Sequence, residues 1–289
     1  MSSSPPIREE FVRDQVAEQN FGVVEQPLKV WERVYGNALV RKLFILVALA
    51  AIWEAYARYL GNSLVLPTFG ETMASFLERI ASGELLSRAW VSIQVLLQGY
   101  VIGLALAFFF TVLAMTRQLG NDVLETLTAM FNPLPAIALL PLALIWFGLG
   151  SPSIVFVLVH AVLWPVALNT HSGFRAVSQT LRMVGRNYGL TGMNYVIRIL
   201  VPAAFPSILS GLKVGWAFAW RTLIAAELVF GTTSGSGGLG WFIYENKNLL
   251  DIPAVFSGLF SVIIIGLLVE SLIFRVIEHR TVRKWGMQH

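Results

Sequence analysis

The sequence predicts an all-α membrane protein with about six transmembrane helices, and three observations carry this prediction. Hydrophobic residues make up 56% of the 289 residues and charged residues only 13%, whereas soluble domains contain about a quarter charged residues. The mean hydropathy is +0.67. Lysine and arginine are concentrated in alternate loops between the apolar segments. The chain contains no cysteine, which excludes disulfide bonds and thiolate metal sites.

We expect three regions along the chain. The first region is 1–40, of which residues 1–28 are polar and of mixed charge, without the apolar core of a signal peptide. They predict a cytoplasmic tail with an interfacial helix around Val30, Trp31, Val34 and Leu39. Residues 41–276 form the transmembrane domain, and residues 277–289 form a basic cytoplasmic tail.

Six segments approach the length of about 20 mostly apolar residues that a helical span needs. The third segment contains Pro133, Pro135 and Pro141, which predict a kinked or broken helix. Broken helices are tolerated at membrane depth where they line a cavity or pack on protein. The predicted spans are 42–60, 92–116, 122–147, 153–172, 203–230 and 253–275.

Orientation follows from the distribution of lysine and arginine, because basic loops stay in the cytoplasm. The short segment 148–152 is uncharged, and 231–252 has little positive charge. The positive charges of 61–91 are balanced by acidic residues. The basic segments lie before the first span, after the second, after the fourth and after the sixth. Both termini and the segment 173–202 are therefore expected in the cytoplasm.

The cytoplasmic segment 173–202 combines two amphipathic patterns with a turn between them. Val177, Leu181, Val184 and Tyr188 recur at helical spacing, and a second helical pattern leads to Leu200. The sequence Gly-Leu-Thr-Gly interrupts the two patterns, and we expect Pro202 in the first turn of the fifth span. The segment is interpreted as a helix-turn-helix on the membrane surface. It could contact anionic lipid through its arginines, or it could bind a soluble partner.

The residues of this segment also resemble a known family. Gly189, twelve intervening residues and Pro202 ahead of AAFPSILSGL are similar to the cytoplasmic loop of binding-protein-dependent ABC importer permeases. The resemblance covers about 85–285, includes WRTLIAAELVFG and KWGMQ, and is strongest to the nitrate, sulfonate, taurine and bicarbonate branch. It implies a type I ABC importer permease fold, in which this hairpin carries the coupling helix that binds the ATPase. The coupling residues implied are Arg182, Arg186, Gly189, Leu190, Thr191, Gly192 and Pro202.

One departure from the family pattern concerns the start of this loop. Relatives often have Glu-Ala-Ala six residues before the glycine, whereas this chain has Met183, Val184 and Gly185. An acidic contact to the ATPase at that position is therefore not implied here.

The resemblance implies a permease subunit that forms the pathway for a small anionic solute in a bacterial inner membrane. Its implied partners are two ATP-binding cassette subunits, a second permease copy (as homodimer or heterodimer) and a periplasmic or lipid-anchored substrate-binding protein. No nucleic acid is implied. The chain has no G-x-x-x-x-G-K-[ST] motif, so ATP and magnesium are expected in the partner ATPase and no cofactor is expected in this chain. The alternative is an ion-coupled secondary transporter without an ATPase.

Polar and charged residues inside predicted spans indicate functional or paired positions, because burying them in lipid is costly. The pathway candidates are Arg221, Glu227, Trp220 and His160. For Arg221 the structural alternative is an ion pair with Glu54 or Glu227. Lys213 is expected to pair with Glu270, and Glu54 with Arg58 four residues later.

Small residues recur every fourth position in the fifth span, at Ser207, Gly211, Gly215 and Ala219. This spacing favours close helix packing, either inside the bundle or against a second copy. Gly99 and Gly103 repeat the pattern in the second span. GSGGLG at 235–240 matches a dinucleotide motif but lacks the βαβ context that motif needs, so we expect a flexible outer loop.

Overall fold

The structure, a computed structural model, describes residues 36–230 and 237–284. Most of the predicted tail, with Val30, Trp31 and Val34, lies outside the described residues, as do the last five residues. The chain divides into two units, Met1–Ile52 and Trp53–His289.

All regular secondary structure in the described part of the chain is helical, which confirms the predicted fold class. A 3-10 turn, Ala136–Leu139, precedes α5, and π-helical turns occur inside α8 and α11. The helices are α1 Ala38–Leu60, α2 Phe69–Ala81, α3 Glu84–Thr116, α4 Gln118–Phe131, α5 Leu140–Phe147, α6 Ser151–Ala176, α7 Gln179–Asn187, α8 Gly192–Ala203, α9 Phe205–Phe230, α10 Leu239–Asn248 and α11 Ile252–Arg283.

The described part of the first unit is short. Residues 38–52 form the N-terminal part of α1, and their large apolar side chains are mostly exposed. An exposed apolar helix is the expected state of a segment whose surroundings are lipid.

Helix α6 lies at the centre of the second unit, between α3 and α9. Most of its apolar residues are buried, and every residue from 161 to 167 is buried, as expected for a helix that neighbours cover on several sides. A Cβ added at Gly99 would lie 2.4–3.3 Å from Leu158, and one at Gly211 would lie 2.9 Å from the Cβ of Asn169. The small residues of α3 and α9 therefore pack on α6 of the same chain.

The remaining positions of the small-residue stripe fit the same arrangement. Gly215 faces Val166 on α6, Ser207 faces Gly173, and Ala219 is fully buried. Packing inside the bundle, one of the two expected uses of this stripe, thus accounts for all of its positions.

Three described helices, α3, α6 and α11, are long and apolar enough to cross a membrane. Two bent pairs raise this number to five if each pair is one span. The predicted first span lies within α1, which is outside this set, so the count of six spans stays a prediction.

The predicted break in the third span is confirmed. Helix α4 ends at Phe131, and the following helical segment, Ala136–Phe147, is bent from it by 89°. Pro133 and Pro135 lie in the break. Proline removes a backbone donor and clashes with the preceding turn, so an α-helix does not continue through this stretch.

The entry to the fifth span differs from the prediction for Pro202. That residue lies near the end of α8, and the chain bends by 80° between α8 and α9. Pro206, one residue inside α9, is the proline of the first turn. Both prolines suit the early positions of a helix, and sequence spacing alone did not distinguish them.

The segments 61–91 and 231–252, which were expected as outer loops, contain the helices α2 and α10. Thr68 and Glu71 form a capping box at the start of α2, which satisfies two backbone N–H groups at that end. Arg79 donates to Asp251 at 2.7 Å and to Glu84 at 2.6 Å, and so joins α2 to α3 and to the start of α11.

Candidate functional site

The predicted cytoplasmic hairpin consists of α7 and α8, and its inner face is packed. Val196 and Leu200 of α8 form a buried apolar cluster with Phe174 and Val177 at the end of α6. Gly185 of α7 lies against Tyr195 of α8, since a Cβ added at Gly185 would be 3.0 Å from the Tyr195 ring. The hairpin is thus held on the end of the helix bundle by its own apolar face.

The turn of the hairpin has a defined geometry at Gly189. The Gly189 N–H donates to the Arg186 carbonyl at 2.9 Å, and the Leu190 N–H donates to the Gly185 carbonyl at 3.0 Å. These two bonds form a Schellman motif, in which the residue after the cap adopts a left-handed conformation. Gly189 has a φ of +68°, and a Cβ there would meet open space. The glycine is therefore required by backbone conformation and not by close packing.

Arg182 and Arg186 have different environments. The Arg182 guanidinium donates to the carbonyls of Phe174 at 2.7 Å and Val177 at 3.0 Å. The Phe174 carbonyl also accepts the Val177 N–H at 3.4 Å, so Arg182 adds side-chain donors to the end of α6 and to its cap residue. Arg186 is exposed, as are Thr191 and Gly192, while Leu190 is half-buried.

The face of the hairpin that points away from α6 carries exposed apolar side chains. Tyr188 is 81% exposed and Met183 is 56% exposed. An apolar surface on a structured element is typical of a contact with lipid or with another protein. The other exposed apolar residues of the hairpin are Leu181, Val184, Met193 and Ile197.

Two adjacent cavities, together called the groove, lie beside the proline break between α4, α6 and α9. Its first part is a cavity of about 310 Å³ whose wall includes His160, Trp164 and Arg221. A second cavity of about 290 Å³ includes Glu125 and His171. Both are lined by Asn132 and Pro133, so the broken helix forms the wall that they share.

The structure brings two of the four pathway candidates together in this groove, His160 and Arg221. Trp220 is 7% exposed and donates its indole N–H to the Val262 carbonyl at 3.2 Å. Glu227 is 1% exposed. Neither Trp220 nor Glu227 lines the groove.

The structure does not contain the ion pair of Arg221 with Glu54 or Glu227 that was the structural alternative. Glu54 contacts Arg58 at 2.7 Å, which confirms that expected pair, and also accepts from the Gly70 N–H at 3.1 Å. The carboxylate of Glu227 is occupied by other donors. Arg221 is exposed and forms no hydrogen bond or ion pair with any described residue.

The hairpin and the helices that pack on it lie in a part of the chain that is similar to known proteins. A family model described as the binding-protein-dependent transport system inner membrane component matches residues 99–283. The chain belongs to that family. The matched part contains the hairpin, most of α3 and all of α6 and α9.

Curated relatives agree with this membership. The chain is 30% identical over 242 residues to a protein of Methanocaldococcus jannaschii assigned as an ABC transporter permease, covering 82% of this chain and 90% of the relative. It is 29% identical over 246 residues to the protein assigned as the aliphatic sulfonates transport permease SsuC in Escherichia coli, covering 84% and 90%. It is 28% identical over 251 residues to the nitrate import permease protein NrtB of Synechocystis sp., covering 83% and 88%. The chain is thus a membrane-embedded permease subunit of a binding-protein-dependent importer.

The described part of the glycine-rich segment, residues 237–240, is held by hydrogen bonds and close packing. Glu227 accepts from Ser92 Oγ at 2.9 Å and from the Gly240 N–H at 2.8 Å, and Ser92 Oγ accepts from the Leu239 N–H at 2.9 Å. A Cβ at Gly238 would collide with the Glu227 carboxylate. Glycine is therefore needed for close approach, and residues 237–240 are not the flexible loop expected from sequence.

Lys213 joins the N-terminal part of α9 to the C-terminal part of α11. Its ammonium lies 3.7 Å from Glu270, which confirms the expected pair, and 2.8 Å from Glu278. The shorter contact to Glu278 was not predicted, because no periodic pattern relates residues 65 positions apart.

Proposed function

We propose that this permease, together with a second copy, forms the translocation pathway of an ATP-driven importer in a bacterial inner membrane, with both termini in the cytoplasm. A soluble or lipid-anchored binding protein delivers the substrate at the outer face, and two ATPase subunits bind at the inner face. The ATPases hold ATP and magnesium, since this chain has no P-loop motif.

The observation that carries this proposal is the exposed apolar face of a well-anchored hairpin. Its inner side is packed on the end of α6, Arg182 bonds α7 to the end of α6, and Gly189 fixes the turn between α7 and α8. A rigid element can transmit a displacement to the helix on which it packs, whereas a loosely held loop cannot. Exposed residues such as Tyr188 and Met183 then form the contact with the ATPase.

We propose that the permease changes between two conformations. The ATPases at the inner face and the binding protein at the outer face shift the equilibrium between them. Closure of the ATPase pair on ATP moves the two hairpins, and each hairpin moves the end of α6. Because α6 packs between α3 and α9, the helices around the groove shift with it. A ligand or partner changes such an equilibrium by its differential affinity for the two states.

We propose a small anion as the substrate. The named substrates of similar permeases are aliphatic sulfonates and nitrate, and the groove carries an arginine without an acidic partner among the described residues. Fixed positive charge in a pathway favours anions.

The competing interpretation is that the hairpin contacts only lipid and that an ion gradient drives transport. Site-directed cross-linking distinguishes the two, because the chain contains no native cysteine. Tyr188→Cys and Leu149→Cys place a single thiol at positions that are both 81% exposed, at opposite ends of α6. Each variant is coupled to a benzophenone maleimide and irradiated in membranes that contain the co-expressed ATPase.

We expect the Tyr188→Cys variant to cross-link to the ATPase and the Leu149→Cys variant not to. Adducts from position 188 to lipid alone, or equal ATPase adducts from both positions, would contradict the proposed docking surface.

A further inference from the structure

The C-terminal end of α11 carries four exposed cations, which we call the basic end of α11. They are Arg275, Arg280, Arg283 and Lys284. The side chains of Arg275 and Arg280 form no hydrogen bond or ion pair with any described residue. A surface with one sign of charge and free cations attracts a ligand of the opposite charge.

The acidic residues of the same part of α11 are already in contact with a cation. Glu270 and Glu278 are the acids between residues 252 and 284. Their carboxylates lie 3.7 Å and 2.8 Å from the Lys213 ammonium of α9. The basic end and Lys213 together outnumber these two carboxylates, so the surface keeps an excess of positive charge.

Exposed apolar side chains lead along α11 to the basic end. Leu272, Ile273 and Val276 are exposed, whereas Phe274 and Val282 are buried. An apolar side of a spanning helix that no other helix covers is the side that contacts lipid chains. The exposed side of α11 thus changes from apolar to cationic, in the same order as the acyl chains and the phosphate of a phospholipid.

The length of α11 places the first of these cations at the depth of the headgroups. The helix begins at Ile252, and its first charged residue is Glu270. The hydrocarbon core of a bilayer is about 30 Å thick, and each headgroup layer adds about 5–7 Å. At 1.5 Å per residue, Arg275 lies about 35 Å and Arg280 about 42 Å from the start of the helix. The long arginine side chain allows both guanidinium groups to reach the phosphate level.

Contacts with α9 hold the basic end in place. Phe274 and Val282 form a buried apolar cluster with Leu209 of α9. The contact of 2.8 Å between Lys213 and Glu278 joins the same two helices. The cations therefore project from a packed helix, and preorganised groups bind a ligand with less loss of entropy than mobile groups.

We propose that the basic end of α11 is a binding site for an anionic phospholipid such as phosphatidylglycerol. Arg275 and Arg280 bind the phosphate, because the planar guanidinium group matches the geometry of phosphate oxygens. The acyl chains lie along Leu272, Ile273 and Val276. This lipid site does not depend on which solute the importer carries.

The other occupant of suitable charge would be an acidic surface of the ATPase. The position of Arg275 favours lipid, because it lies at the depth of the headgroups, where a soluble subunit does not reach. The exposed apolar side chains directly before it also favour lipid. Juxtamembrane clusters of lysine and arginine are typical of segments that bind anionic lipids.

Fluorescence quenching in vesicles tests the site, because the chain contains no native cysteine. Leu268→Cys and Leu259→Cys replace exposed residues in the C-terminal and the N-terminal half of the apolar stretch of α11. Each variant carries one bimane fluorophore. The permease–ATPase complex is placed in phosphatidylcholine vesicles that contain either phosphatidylglycerol or phosphatidylcholine with a nitroxide-labelled acyl chain. The ratio of quenching by the two labelled lipids gives the lipid preference at each position.

We expect phosphatidylglycerol to be favoured at position 268 by about fivefold over position 259, because cations close to the headgroups attract anionic lipid. High salt should reduce this preference by screening the exposed charges. Replacing both Arg275 and Arg280 by glutamine should abolish most of it, and replacing both by lysine should retain most of it. Arg117→Gln, at an exposed arginine between α3 and α4, should leave it unchanged.

Equal lipid preference at positions 268 and 259 would overturn the site, and this comparison needs no arginine variant to fold. A preference that the double glutamine variant leaves unchanged would also overturn it. If that variant instead lost the co-purifying ATPase and kept its lipid preference, the cations would belong to an ATPase contact. The quenching needs an assembled permease but no transport, so loss of ATP-driven uptake would count against the proposed function and not against the lipid site.

Discussion

At the scale of single residues, Glu227 is the most buried ionisable side chain in the described part of the permease. It is 1% exposed and is hydrogen-bonded to Ser92 and to the Gly240 N–H. A buried acid that accepts several hydrogen bonds joins the elements that donate them, because each broken bond leaves a buried polar group unsatisfied. Glu227 thus fixes the start of α10 to α3 and α9.

Glu227→Ala should destabilise the permease by about 1–3 kcal/mol, because it leaves Ser92 Oγ and the Gly240 N–H without their acceptor. Glu227→Gln keeps an acceptor oxygen and the side-chain volume and should cost less. Thermal unfolding of the detergent-purified protein, followed by size-exclusion chromatography, measures the difference. Glu78→Ala on the exposed face of α2 is the control. Equal stability of Glu227→Ala and Glu78→Ala would show that the buried cluster has no structural importance.

At the scale of elements, the hairpin combines a rigid turn with an exposed surface. Gly189 adopts a φ of +68°, a conformation that residues with a Cβ rarely adopt. Since an added Cβ meets open space, a substitution acts through backbone strain and through the charge that it adds to the proposed ATPase contact.

Gly189→Glu should abolish transport and weaken ATPase association while the permease stays in the membrane. Gly61→Glu is a matched control, because Gly61 has a φ of +62° and also has open space around it, but directly follows α1, on the side predicted to be outside. Co-purification of the ATPase and uptake per assembled complex are the measurements. Normal ATPase binding by Gly189→Glu, or the same loss in Gly61→Glu, would contradict docking at the hairpin.

The elements also show what the sequence could and could not predict. The hairpin was predictable because amphipathic spacing and a glycine turn are local signals, and the break at Pro133 and Pro135 follows from the chemistry of proline. The Glu227–Ser92 contact joins residues 135 positions apart, and no periodicity encodes such a distance. Arg182 was assigned to the ATPase contact by resemblance, whereas its hydrogen bonds to α6 depend on three-dimensional packing.

At the scale of the whole molecule, the loops that alternate in positive charge predict one orientation of all spans. Cysteines introduced at Ser151 and Ser236 should react with an impermeant thiol reagent added outside, and one at Ser178 should not. Labelling of position 178 from outside, or protection of both other positions, would show that the predicted topology is wrong. Position 236 lies outside the described residues, so its exposure is predicted from sequence alone.

The central claim is that ATP drives import through this permease and that its partners supply both the energy and most of the selectivity. Uptake into proteoliposomes tests it most directly. The permease is reconstituted with its ATPase and its binding protein, using the anion that gives the largest thermal shift of that binding protein. We predict uptake that requires internal ATP, is abolished by vanadate and persists when ionophores collapse the ion gradients. Uptake that continues without ATP, resists vanadate and stops on addition of an ionophore would contradict the account.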